Sequence, residues 1–143
     1  MFELSYKSKA IDTIIEKDIV EILNSAQEFN SENNITGCLV FYENSFIQIL
    51  EGEKSVVKQI FAKICQDSRH ENIRVLAEGD KDIRFFPNWN MAYTSINKDK
   101  CKSDDVLSYA NNLLLLSEFI EKPTTTLKMF WAGINRLIVN PAF

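Results

Sequence analysis

Over its first hundred residues the chain alternates between two spacings of apolar side chains. Phe2, Leu4 and Tyr6 interleave with Glu3, Ser5 and Lys7, the period-2 pattern of a half-buried strand with Tyr6 on its inner side. Ile19, Ile22, Leu23 and Ala26 then recur at helical spacing, which predicts a helix from about Glu16 to Phe29. Asn30 falls about 20° around that helix from Ile19, so a helix persisting that far would end its buried stripe on an amide. NSENNITG reads as a loop. CLVFY and SFIQIL follow as strands joined through Glu43-Asn44, a two-residue hairpin connection without the favoured glycine. Beyond Gly52, Val57, Ile60, Phe61 and Ile64 mark a second amphipathic helix that finishes near QDSRHEN. NIRVLAEG is a further strand, and RFFPNWNMAYTSI holds the last one. Pro87 keeps the start of that segment irregular, and extension beyond it sets Trp89 and Met91 on one face.

The order β-α-β-β-α-β-β predicts an α+β fold. It is a ferredoxin-like split βαβ unit with an added strand, both helices covering one face of a mixed sheet. After about Lys98 the pattern turns helical, with Val106, Tyr109, Ala110, Leu113 and Leu114 in a run that reaches Ile120. Pro123 interrupts it. Thr124, Thr125 and Thr126 can then cap a helix carrying Leu127, Phe130, Trp131, Ile134, Leu137 and Ile138. The chain therefore divides into a domain at 1–97 and a helical extension at 98–143, too apolar to be a solvated linker. It is expected to pack on the open sheet face or on a partner.

Composition narrows the field. With 143 residues and 45% hydrophobic content the chain can bury a core. Sixteen basic residues against twenty acidic ones, without a basic cluster, argue against nucleic acid. Cys38, Cys65 and Cys101 lack metal-ligand spacing and His70 is the sole histidine, so a structural zinc is not expected. MFELSYKSKA has no signal-peptide core, and no apolar run suffices to span a bilayer. The expected setting is the reducing cytoplasm, with free thiols and no membrane.

One residue in NSFIQILEG does not fit. Alternation sets Gln48 on the same face as Phe46 and Leu50, and burying an unpaired amide costs about 1–3 kcal/mol. Tyr6, Asn30, Trp89 and Met91 can face the same layer. Taken singly, each would most often be a core residue with its bonds satisfied. Jointly they include no strong base, nucleophile or carboxylate pair, so an enzyme is not expected. The set suits holding the polar edge of a flat, uncharged heterocycle between apolar walls.

Tyr6 in LSYKS, Asn30 in SAQEFN, ITG at 35–37, Gln48 in FIQILEG, Asp67-Ser68-Arg69-His70 and Trp89-Asn90-Met91 resemble the BLUF domains in order and spacing. These are blue-light sensors that bind FAD noncovalently. The resemblance covers about residues 2 to 96. It implies a flavin between the two helices, with Ile22 and Ile64 sandwiching the ring and Asn30 on its pyrimidine edge. Arg69 and His70 would lie near the carbonyl edge and the adjoining cofactor chain, and Gln48 would sit between Tyr6 and the flavin N5/O4 edge. In such sensors the excited flavin draws an electron and a proton from the phenol. The amide relays the proton and is left rotated or tautomerised, which gives a small reversible red shift. Trp89 and Met91 would relay the signal. Two positions depart from the pattern: Ala26 stands where several members have serine, and Phe29 replaces a polar residue found in some. The tail resembles the helical extension of short stand-alone members. These signal to a separate protein by light-dependent contact or by changed assembly, which leaves homo-oligomerisation open. The alternative is a ferredoxin-like binding or scaffold module without a functional flavin.

Overall fold

The computed structural model describes residues 1–87, 92–96 and 123–139, the segments 92–96 and 137–139 by their backbone alone. Trp89, Met91, Cys101 and the apolar run at 106–120 lie outside the described residues. The elements are β1 (Phe2–Ala10), α1 (Glu16–Glu32), β2 (Thr36–Tyr42), β3 (Ser45–Gly52), α2 (Lys54–Gln66), β4 (His70–Asp80), β5 (Ala92–Ile96) and α3 (Thr125–Val139). They build one five-stranded sheet in the order β4-β1-β3-β2-β5. The pairs β4–β1, β1–β3 and β3–β2 are antiparallel, and β5 runs parallel to β2. This is the mixed ferredoxin-like sheet that the element order predicts.

Local chemistry fixes the connections. Glu43 and Asn44 adopt φ of 49° and 60° between the paired residues Tyr42 and Ser45. Both lie in the left-handed region that a tight I′-type hairpin demands, and the strand twist supports them there despite their side chains. The helix α1 runs three residues past its expected end. It closes where Asn34 takes φ 56°, which lets the Ile35 N–H donate to the Asn30 carbonyl at 3.0 Å. That reversal anchors Asn30 in the last helical turn. At Gly37 the strands β2 and β3 approach so closely that a Cβ would meet the Ile49 carbonyl oxygen at 2.0 Å. Glycine is required there by space.

Strand alternation sorts the core into two layers. Phe2, Leu4, Tyr6, Leu39, Phe46 and Leu50 pack with Ile19, Val57 and Ile60 of the helices α1 and α2. Val40, Ile47 and Ile49 pack on the opposite face with Leu127, Phe130, Trp131 and Ile134 of α3. The helix α3 thus covers the open sheet face, and the Thr124 hydroxyl caps it by accepting the Leu127 N–H at 3.1 Å. This covering corrects one expectation. The strand β1 is not half-solvated, because Glu3 and Ser5 on its second side are also buried.

Candidate functional site

Between α1, α2 and the sheet lies a cleft of about 260 Å³. This is just below the ~300–1,000 Å³ usual for ligand clefts. Tyr6, Ile22, Asn30, Gln48, Ile64, Arg69 and His70 all line it. The structure thus brings together every candidate residue that falls within its described part.

Tyr6 and Gln48 meet because β1 and β3 pair them directly across the sheet. The Tyr6 hydroxyl donates to Gln48 Oε1 at 2.5 Å, and both residues are buried. The amide that looked out of place is therefore engaged by a phenol on its own layer. Burial holds the phenol pKa well above its usual value, and the neighbouring Cys65 and Asp67 push it the same way. Tyr6 is thus a protonated donor at neutral pH. Its ring stacks on Phe61 with centroids 5.4 Å apart.

Ile22 and Ile64 approach the cleft from α1 and α2, each partly buried. Asn30 is fully buried at the end of α1. Arg69 and Asp67 form a tight unit at the rim. The carboxylate accepts the Arg69 backbone N–H at 2.9 Å, Nε at 2.9 Å and Nη2 at 2.6 Å. The side-chain bond to Arg69 is the main reason that the Asp67 carboxyl titrates below its usual range.

His70 is held on both nitrogens. Nε2 lies 2.5 Å from the Ile64 carbonyl, which can only accept, so the hydrogen is on Nε2 in the neutral ring. Nδ1 then accepts from the Ser8 hydroxyl at 2.8 Å. With both nitrogens committed, His70 ties α2 to β1 and meets Tyr6 and Phe46 through its ring, at centroid distances of 6.4 and 6.2 Å. Ser8 was missed by reading the sequence, although period-2 alternation sets it on the same face as Tyr6. Phe29, Leu39, Ile60 and Lys63 also line the cleft.

The arrangement is apolar across its walls and polar at its edges, with two amides, a phenol and a guanidinium. This donor set fits a flat ring system with carbonyl and nitrogen edges. Among the described residues no group of His, Cys, Asp and Glu could hold a metal ion, and no helix is long and apolar enough to cross a membrane.

Fold and cleft together define a ligand-holding α+β domain. Residues 1–92 match the family described as BLUF, sensors of blue-light using FAD. The chain belongs to the BLUF family. It is 29% identical, over 99% of its length, to the photoactivated adenylate cyclase subunit alpha of Euglena gracilis. It is 41% identical, over 49% of its length, to the blue light- and temperature-regulated antirepressor BluF of Escherichia coli K12. The chain spans only 14% and 17% of these two curated relatives. Among solved structures it resembles the BlsA photo-activated state, with a TM-score of 0.69 and 31% identity over 96% of this chain and 94% of that one. The sensor reading therefore stands over that of a scaffold without flavin.

Proposed function

We propose that this chain is a blue-light photoreceptor that binds FAD noncovalently and signals without catalytic turnover of its own. The observation that carries the reading is the buried hydrogen bond from Tyr6 to Gln48 inside the cleft. Ile22 and Ile64 would flank the ring, and Asn30, Gln48 and Arg69 would meet its polar edges. His70 would lie beside the ring's carbonyl edge while its bonds to Ser8 and to the Ile64 carbonyl hold the wall of the cleft.

Bound FAD would supply blue absorption and, once excited, a strong oxidant. Tyr6 can release an electron and pass its proton along the existing bond to Gln48. The amide can serve as relay because it carries an acceptor oxygen and two donor hydrogens. After the electron and proton return, a rotated or tautomerised amide offers a changed pattern of donors. That pattern is the stored signal, and it relaxes in the dark because no covalent bond persists. Trp89 and Met91 are proposed to sense it.

We assign residues 1–97 to the photosensory domain and 98–143 to an extension that both covers the sheet and serves as output surface. The output is contact with a separate protein partner, in the cytoplasm and without membrane or nucleic acid, or a change in self-assembly.

Tyr6→Phe and Gln48→Leu test the relay. Each is expected to retain FAD and to lose the reversible red shift in difference spectroscopy. A normal shift in Gln48→Leu would remove the amide from the mechanism.

A further inference from the structure

The sheet face opposite the cleft carries an ionic cluster that this photochemistry does not use. Glu3 on β1 stands in register with Glu51 on β3, and Glu51 with Thr36 on β2. Strand alternation thus lays three polar side chains in a row across three strands. All three are buried, Glu51 completely.

The chain leaving β4 runs along this row. Lys81 Nζ lies 2.8 Å from Glu3 Oε2 and also pairs with Glu51 Oε2. The Phe85 N–H donates to Glu51 Oε2 at 2.9 Å and the Phe86 N–H to Oε1 at 2.7 Å. The Thr36 hydroxyl donates to Oε1 at 2.7 Å. Arg84 extends the row, its Nη1 donating to Thr36 Oγ1 at 2.8 Å and its Nη2 to the Asn34 carbonyl at 2.6 Å.

A plain reading is that the cluster only stabilises this segment. Buried ion pairs, however, are a poor route to stability, because the desolvation cost often exceeds the attraction gained. Their position here is more informative. Glu51 lies on the strand that carries Gln48, three residues further along and on its other side. Among the described residues, everything that its carboxylate grips beyond Thr36 belongs to residues 81–86. That segment follows β4, which lies at one edge of the sheet. A small shift or twist of β3 therefore moves one carboxylate and, with it, three donors of that segment.

Building on the sensor reading above, we infer that Glu51, with Lys81 and Glu3, is a positioning residue that couples the state of Gln48 to the course of residues 81–86 beyond β4. The test is amide hydrogen exchange on the full-length FAD-loaded protein, in darkness and under continuous blue light, together with its absorption spectrum. The Phe85 and Phe86 amides are expected to exchange at rates differing by about tenfold between the two states, as for partial loss of a charge-assisted bond. Glu51→Gln is expected to keep FAD and the red shift while losing that difference.

Equal dark and light rates at both amides, alongside a normal red shift, would overturn the coupling. So would Glu51→Gln with the difference intact. A wild-type protein that shows no red shift would instead overturn the sensor reading on which the coupling rests. Should Glu51→Gln fail to fold, Thr36→Val removes two hydrogen bonds, one to Glu51 and one from Arg84, and no charge. It is expected to shrink the exchange difference with the red shift unchanged, and an undiminished difference would contradict the inference.

Discussion

The Tyr6 phenol and Gln48 amide meet because antiparallel register sets them opposite each other, and the inward side of each was legible from alternation alone. What alternation could not supply was the fate of the other face. Glu3 read as the outer side of a half-buried strand, yet it is buried together with Glu51, because Lys81, distant in sequence, pairs with both. His70 was legible as a motif residue, whereas its bond to Ser8 spans 62 positions and no local spacing reports it. A pH prediction belongs at this scale. The folded-state Tyr6 pKa is raised above the ordinary phenol value of 10.0, chiefly by burial. Its contribution to stability is therefore fully present below pH 10 and is lost as pH rises toward the folded value. The red-shift amplitude should stay flat up to about pH 10 wherever the fold persists. An amplitude that titrates away near pH 8 in folded protein would contradict a buried, protonated donor.

Among the elements, type and order were readable from periodicity. The helix α1 extends to Glu32 because Asn34 can adopt the left-handed conformation that ends it, a role in which glycine is the more familiar signal. The hairpin at Glu43-Asn44 likewise forms without glycine. Gly37 is the converse case, a glycine demanded by the close passage of β3. Gly37→Ala is expected to cost at least about 1–3 kcal/mol, the usual toll of overpacking, because the clash is with backbone that cannot rotate away. Urea denaturation measures this directly. Because β2 and β3 must part to admit the methyl group, weaker flavin retention should accompany the loss. An unchanged midpoint would show that the strands can separate freely.

For the whole molecule, the sheet is a plate with a different task on each face. One side holds the cleft under α1 and α2. The other is closed by α3, with Phe130 and Leu127 fully buried against Ile47 and Ile49. The sequence showed that the tail was apolar, but could not say whether it meets the sheet or a partner, since both would select the same side chains. A chain cut after Asn97 should keep the photochemical pair yet expose this apolar face, and should sediment as larger species than the full chain. A monodisperse truncated protein of unaltered thermal stability would deny α3 its covering role.

The measurement that tests the central claim most directly is the absorption spectrum of dark-purified protein, recorded before blue light, after it, and through dark recovery. The account predicts a structured flavin band that moves to the red on illumination and returns in the dark. Bound flavin whose band does not shift would contradict the Tyr6–Gln48 relay. A protein that stays colourless after reconstitution with FAD would contradict the photoreceptor reading as a whole.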